Sequence, residues 1–475
     1  MDAVKVETEL DAAVRDFAER FRIALDPPEL AGATVDHAEL AARFDEALPE
    51  RGMPLELILG ELEAKSTGGL AGGTGGRYFG YVTGGSLPAA AIVEAWTAAV
   101  DQNVGMWPLG PAAVELELVT LRWLGELLGY PSESGYFGSG ATMANTVGLA
   151  VARRWFGRKH GVDVSEQGVR ALPELGVYGS VELHLSDLKA LRTLGLGSGC
   201  VRAIPIDDRY AMGVVQLREA IKRDRDAGVE PAIVIAQAGS VNTGACDPIA
   251  AIADVCAEHD LWLHVDGAFG AFFGLWEPAR PLVAGIERAD SLAVDAHKWL
   301  NVPNGVGFVL FRDAELHRET FAGGAGYLTP GAGRNLHELG IEASRSWRGA
   351  CVWAALKQQG REGIAELVSR CCELAQELAA LVEESPRLEL TAPAPTNIVC
   401  FRYRPEGWTD GEELDTLNRR IQAEVAAAGE VFHTGVELDK GFCQRAALVS
   451  WRTTPDDVHA LVSAIERVGG ALASS

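Results

Sequence analysis

No run of residues in this chain stays apolar and uncharged for long enough to cross a bilayer, which argues against a transmembrane helix. Basic residues are scarce, with 42 Lys and Arg against 66 Asp and Glu and a formal net charge of −24. That balance leaves no cationic excess to neutralise phosphates, so neither nucleic acid nor an anionic membrane is expected as a partner. The eight cysteines include no CxxC pair, and adjacent Cys371 and Cys372 fall in a helical pattern. They read as reduced thiols in a cytoplasmic protein. Met1–Leu10 is acidic and lacks the apolar core of a secretory leader, so none is expected. There is no internal repeat and no low-complexity tail beyond one glycine-rich stretch, Ser66–Gly76. No strand pattern precedes that stretch, as a dinucleotide fingerprint would require, and it reads as a loop.

What is present suits a soluble globular enzyme, with 48% hydrophobic and 23% charged residues. The 475 residues exceed one compact core and predict two or three domains. Residues 1–65 carry a helical pattern broken at Pro27-Pro28. From Leu87 to about Asp313, buried-strand patterns alternate with helices. The strands are expected at 135–137, 201–206, 232–237, 261–265, 291–294 and 305–311, and helices at 141–155 and 248–259. Alternation of this kind predicts a mostly parallel sheet covered on both faces. The link between Lys298 and Gly305 is too short for a helical crossover, so the last of these strands should run antiparallel. Beyond Gly340 a long helix is expected over 350–383, strands at 388–390, 398–403 and 446–451, and helices at 412–427 and 455–468. The reading is thus α/β in three parts: an N-terminal helical dimerisation segment (1–85), a large domain (86–340) and a small α+β domain (341–475).

The chemistry is carried by two strand ends. The apolar run from Ser291 stops at Asp295 and is followed by His297-Lys298-Trp299, and the preceding strand ends in His264-Val265-Asp266. A lysine after a histidine is usually a solvated surface residue, and an acid at a strand end is usually a cap or an ion-pair partner. Here, however, the lysine lies between His297, Trp299 and Leu300 after an apolar strand, a poor setting for a solvated amine. A lysine and an acid at successive strand ends suit pyridoxal 5'-phosphate (PLP). The Lys298 amine bonds the cofactor aldehyde, and Asp266 pairs with the pyridine nitrogen so that the ring can take up electrons. Gly138–Thr142, a small-residue loop between a strand and a helix, then reads as the phosphate site, with N–H groups of Gly140, Ala141 and Thr142 turned outward. Convergence of His264, Asp266 and His297 on zinc is the weaker alternative, since it leaves Lys298 and that loop unexplained. No metal site is expected, and His264, on the same strand face as Asp266, is read as structural.

These pieces, in order Gly138-Ser-Gly-Ala-Thr-Met-Ala-Asn145, His184, Gly239-Ser-Val-Asn-Thr-Gly244, His264-Val-Asp266, Asp295-Ala-His-Lys298 and Ser344-Arg-Ser-Trp-Arg348, resemble the group II PLP-dependent amino-acid decarboxylases. That family includes aromatic-amino-acid, histidine, glutamate and 2,4-diaminobutyrate decarboxylases. The likeness runs from about Tyr78 to the C-terminal domain. It implies a fold-type I large domain with a mostly parallel seven-stranded sheet, an L-amino-acid substrate, and a homodimer whose N-terminal segments wrap the partner and whose active sites are shared. It implies that His184 stacks on the pyridine ring and assists decarboxylation, and that Asp295 and His297 join the cofactor site. It places a proton donor at Tyr327, in the glycine-rich segment Phe321–Gly333; relatives with phenylalanine there form aldehydes. Many members read Gly-Thr-Thr where this chain has Gly239-Ser240-Val241, so the contact to the ring hydroxyl falls to Ser240 or Thr243, and Thr243 is the choice made. Trp107 is a candidate for lining the pocket, from either subunit. An aminotransferase or aldehyde synthase of the same fold, and a catalytically idle partner protein, are the alternatives. Retention of Lys298, Asp266 and the phosphate loop argues against the last.

Overall fold

The computed structural model describes residues 3–26, 31–323 and 334–474. Its large sheet contains β1 (Ser134–Gly138), β2 (Leu175–Ser180), β3 (Val201–Ile204), β4 (Glu230–Gln237), β5 (Trp262–Asp266), β6 (Ser291–Asp295) and β7 (Gly307–Phe311). The seven strands lie in the order β1-β7-β6-β5-β4-β2-β3. β7 runs antiparallel to both β1 and β6, while the pairs from β6 to β3 are all parallel. The short link after Lys298 therefore has the consequence expected of it.

The central strands are apolar on both faces. In β4, Ile233 and Ile235 join one cluster with Trp262, Ala293 and Val309, while Val234 and Ala236 join another with Leu263, Val265 and Val294. Alternate side chains point to opposite faces, so both faces are buried. Each valine, isoleucine or leucine among them contributes about 1.5–3 kcal/mol relative to exposure. The helix Ala141–Lys159 covers the first face through Ala144, Val147 and Val151. Trp262, His264 and Asp266 alternate onto that same face, which brings the end of β5 under the start of this helix. Register then aligns the functional strand ends: Gln237 of β4 pairs with Asp266 of β5, and Asp266 with Ala293 of β6, two residues before Asp295.

A second sheet holds β8 (Leu388–Leu390), β9 (Ile398–Tyr403), β10 (Thr434–Leu438) and β11 (Gly441–Ala447), in the order β10-β11-β9-β8. The strand expected at 446–451 is displaced: β11 ends at Ala447, and β10, which had no counterpart in the sequence reading, forms a hairpin with it. β3 stops at Ile204 rather than 206. The long helix is found as Gly349–Glu384, but Gly360 interrupts it with φ of 64°, a conformation glycine reaches without a Cβ clash. The N-terminal segment forms helices Ala3–Ala24, His37–Phe44 and Leu55–Ser66, and Ser66–Gly76 is turns and bends after the helix ends. Residues 77–79 make backbone contacts beside the second sheet. The Phe79 N–H donates to Phe432 O at 2.6 Å, and the Ala447 N–H donates to Phe79 O at 2.9 Å.

Candidate active site

Asp266 ends β5 and is 5% exposed. One carboxylate oxygen accepts from the Ala268 N–H and the other from Asn145 Nδ2, both at 3.0 Å. Asn145 is completely buried, and its partners fix its orientation. Nδ2 also donates to Ser186 Oγ at 3.1 Å, and Oδ1 faces His264 Nε2 at 3.1 Å. His264 Nδ1 in turn meets Ser291 Oγ at 2.8 Å, which accepts from Trp262 Nε1 at 3.0 Å. The donor order assigns the proton of neutral His264 to Nε2, and burial pushes its pKa down to about 4. Both nitrogens are engaged, so His264 has none free for a metal, and its role is to hold Asn145.

His184 caps the helix Leu185–Thr193, with Nδ1 accepting from the Ser186 N–H at 3.2 Å and 2.7 Å from Ser186 Oγ. Its Nε2 therefore carries the proton in the neutral ring. His184 is exposed as a residue, yet desolvation by the surrounding protein lowers its pKa, with Asp266 opposing that shift. Asp266 and His184 thus share one hydrogen-bonded path through Asn145 and Ser186.

Lys298 follows β6. Its Nζ lies 3.0 Å from Asp295 Oδ2 and 5.6 Å from the centre of the Phe269 ring. The other Asp295 oxygen accepts from the Ala141 N–H at 2.5 Å and stands 3.5 Å from His297 Nδ1, which also faces Val306 O at 3.3 Å. The loop after Lys298 is pinned by Asn301, whose Nδ2 donates to Lys298 O at 2.8 Å and whose Oδ1 accepts from the Trp451 N–H at 2.8 Å. The approach of residues 82–87 to this loop needs Gly84, since a Cβ there would stand 2.2 Å from Lys298 O.

Of the expected phosphate ligands, Ala141 has its N–H committed to Asp295. Gly140 and Thr142 flank it at the helix start, where N–H groups have no intrahelical acceptor. Gly140 has φ of 133°, and a Cβ on neighbouring Gly307 would come within 2.5 Å of the Gly140 carbonyl carbon. The cradle is therefore one that only glycine permits.

Thr243 is buried, and its hydroxyl accepts the Ala245 N–H at 3.4 Å within its own loop. Among the described contacts none joins it to Asp266, Lys298 or His184. Ser240 shares Glu182 with Asn242 in the same loop, and the Val241 carbonyl accepts from Arg445 Nε at 2.6 Å. Trp107 is half-buried, with Nε1 donating to Glu115 at 3.2 Å, and packs beside Val104, Val114 and Trp347. Tyr327 lies outside the described residues. Asn145 and Ser186 were given no role from sequence; the available signal was an asparagine one helical turn after a glycine-preceded helix start. Other concavities, such as that lined by Gly76, Arg77, Trp451 and Arg452, lie away from these side chains, so chemistry and not cavity size locates the site.

Residues 38–404 match the pyridoxal-dependent decarboxylase conserved domain, and the chain belongs to that family. It is 31% identical over 431 residues to an aromatic-L-amino-acid decarboxylase of Bacillus atrophaeus, covering 90% of this chain and 88% of that one. It is 25% identical to a 4-hydroxyphenylacetaldehyde synthase of Rhodiola rosea, covering 100% of this chain and 97% of that one. The fold matches the crystal structure of Oryza sativa TDC with PLP and tryptamine at a TM-score of 0.89 and 24% identity, over 99% of both chains. The protein is accordingly a PLP-dependent carboxy-lyase, and PLP is its cofactor. The described residues suit that group: a buried carboxylate held by two donors, an amine beside an aromatic face, and a glycine-only helix start. No described helix is long and apolar enough to cross a membrane.

Proposed function

We propose that this chain converts an L-amino acid to the corresponding amine and carbon dioxide, with PLP bonded to Lys298 and Asp266 set against its ring nitrogen. The observation that supports this reading is the placement of Asp266 at the end of β5 and of Lys298 just past the end of the adjacent parallel strand β6, with the first turns of one helix bonded to Asp266 and to Asp295, the partner of Lys298. When bound, the cofactor ring takes up the electron pair released as carbon dioxide leaves. Asp266 holds the proton on the ring nitrogen. Asp295, 3.0 Å from the Lys298 amine, would hold that amine toward the cofactor aldehyde. Gly140 and Thr142 offer amides to the phosphate. His184, neutral and protonated on Nε2, presents a donor on the side opposite its Ser186 partner. Tyr327, on the strength of the family resemblance, returns a proton to the α-carbon. The test is borohydride reduction of the holoenzyme and peptide mapping, with carbon dioxide release measured across the amino acids. Label on Lys298 supports the reading, and label on another lysine removes it.

A second reading is favoured by the full-length likeness to the Rhodiola rosea aldehyde synthase: the same site forming aldehyde with oxygen uptake. Amine and aldehyde yields under air and under nitrogen separate the two.

We also propose a homodimer in which residues 1–85 form the contact and the active site is shared. Leu10, Val14 and Phe17 recur at helical spacing and are 52%, 55% and 44% exposed, and Leu57, Ile58 and Leu62 are exposed to a similar extent. An apolar stripe of that length is what a large obligate interface covers.

A further inference from the structure

One buried amide serves both Asp266 and the histidine of the site. Asn145 Nδ2 gives one hydrogen to Asp266 Oδ2 at 3.0 Å and the other to Ser186 Oγ at 3.1 Å, while Oδ1 accepts from His264 Nε2 at 3.1 Å. The reversed amide would set its oxygen against the Asp266 carboxylate, so this orientation is the stable one. Ser186 Oγ lies 2.7 Å from His184 Nδ1, and the Ser186 N–H reaches the same nitrogen at 3.2 Å. A backbone N–H can only donate. Nδ1 is therefore an acceptor, and the Ser186 hydroxyl must give it a hydrogen as well. At the far end the Trp262 indole, again a pure donor, reaches Ser291 Oγ at 3.0 Å, and Ser291 Oγ lies 2.8 Å from His264 Nδ1. The path from Trp262 through Ser291, His264, Asn145 and Ser186 to His184 thus runs in one direction, and its two ends agree. The five residues before His184 are all buried, at most 4% exposed, so water does not compete for these bonds.

We infer that Ser186, itself oriented by Asn145, is a positioning residue that locks His184 in the Nε2–H tautomer and keeps its ring uncharged. A proton on Nδ1 would meet two hydrogens already aimed at that nitrogen. The hydroxyl could turn away, but no second acceptor for it is found among the described contacts, and the backbone N–H cannot turn. The ionised ring loses both bonds that the neutral ring holds. The charged groups that act on His184 are Asp266 at the end of β5, Asp295 and Lys298 at and just past the end of β6, and Lys189 on the helix that His184 caps. Desolvation leads the lowering of its pKa, and the two acids and two lysines oppose one another. The path is a line of fixed donors and not a proton conduit, because passage along it would require Asn145 to release an amide proton. A proton that leaves His184 Nε2 must be replaced from outside the protein interior. Asn145 also couples two requirements, since the hydrogen held to Asp266 and the donor direction at His184 depend on one amide orientation.

The inference rests on the proposed place of His184 in the site, and its test has one arm that does not. In the holoenzyme, the carbon and nitrogen resonances of the His184 ring, assigned by their loss in His184→Gln, report tautomer and charge directly. Wild type should show the Nε2–H form and stay neutral between about pH 7 and about pH 9. Nδ1–H as the main form, or a titration midpoint at or above about 6.5, the ordinary histidine value, overturns the inference. Ser186→Ala removes the hydroxyl, so the midpoint should rise by about half a unit to one unit, the worth of one hydrogen bond, and the Nδ1–H form should appear. Variant and wild type are compared at matched pH on the acid side, so the rise shows even where the wild-type midpoint is not reached. Ser186→Thr keeps the hydroxyl and should restore the wild-type resonances. Unchanged tautomer and midpoint in Ser186→Ala, or equal changes in the Ala and Thr variants, overturn the inference. Should either variant fail to fold, the wild-type tautomer and midpoint decide. The second arm is carbon dioxide release. Ser186→Ala should lower kcat roughly tenfold with KM within about threefold of wild type, and Ser186→Thr should recover it. If the resonances change as expected and kcat does not, the part given to His184 in the reaction fails and the lock stands.

Discussion

Substituting Glu117 should destabilise the protein far more than substituting Glu117 and Arg345 together. Glu117 lies on the helix Pro111–Leu128, and Arg345 belongs to the motif Ser344–Arg348 just before the helix Gly349–Glu384. Their side chains are 0% and 1% exposed. The pair is bidentate, at 3.0 and 2.6 Å, and Glu117 also accepts the Gly349 N–H at 2.9 Å. Glu117→Ala strands a buried guanidinium. Its remaining support is the Tyr136 ring at 5.0 Å, worth about 1–2 kcal/mol for a desolvated cation, and the more distant charge of Glu342, which already pairs with Arg348. Arg345 Nε has no acceptor to add. The expected cost is about 3–5 kcal/mol, the range for breaking a buried ion pair from one side. Glu117→Gln keeps an acceptor without charge and should cost about 2 kcal/mol. Glu117→Leu with Arg345→Met replaces the pair by apolar volume and should fall within about 1 kcal/mol of wild type. The assay is equilibrium urea unfolding at fixed protein concentration, read as midpoint shifts at constant slope. A Glu117→Ala cost under about 1 kcal/mol, or a double variant as unstable as the single one, would refute the reasoning.

Asp266→Asn keeps shape and loses charge, and should lower turnover by at least roughly a hundredfold with the fold intact by circular dichroism; near wild-type turnover removes Asp266 from the site. Tyr327→Phe should lower amine yield and raise aldehyde while PLP remains bound, and an unchanged amine yield in product analysis would assign the proton to another group. Sedimentation at low concentration should show a dimer, and an active monomer would count against the proposed interface. His433, fully buried beside Gln444, has its pKa pushed down to about 4 by burial. The unfolded chain therefore binds this proton first as pH falls from about 6.5 to about 4, and stability drops by about 1.4 kcal/mol per pH unit for this one group. Asp247 and Asp290, both raised to about 6 by burial, act in the opposite sense over the same window. The measurement is thus the difference in unfolding midpoint between wild type and His433→Gln, which should shrink toward pH 4 and reach its full size above pH 6.5.

The strand ends were legible because apolar runs stop abruptly at charged residues. Asp266 and Lys298 stand out in that way, and the short link after Lys298 dictated an antiparallel β7. β10 was not legible: each of its residues keeps some exposure, so the period-two contrast that marks a half-buried strand is weak. Thr243 could be placed in a loop but not aimed, since spacing says nothing about where a hydroxyl turns.

Asn145 shows how the remainder could be read once topology is known. Asp266 and Asp295 end strands separated by the usual interstrand distance of about 4.8 Å. Ala141 and Asn145 are one turn apart on a helix whose turn rises about 5.4 Å. The two spacings nearly coincide, so one helix start serves both acids: the Ala141 N–H bonds Asp295 and the Asn145 amide bonds Asp266. Gly140 ahead of this turn and Gly307 beneath it allow the helix to come down onto the strand ends. The small residues of Gly138–Thr142 are therefore required by the approach of the helix to the acids as well as by any phosphate, and a bulky residue at 307 should disturb Asp266 and Asp295 together.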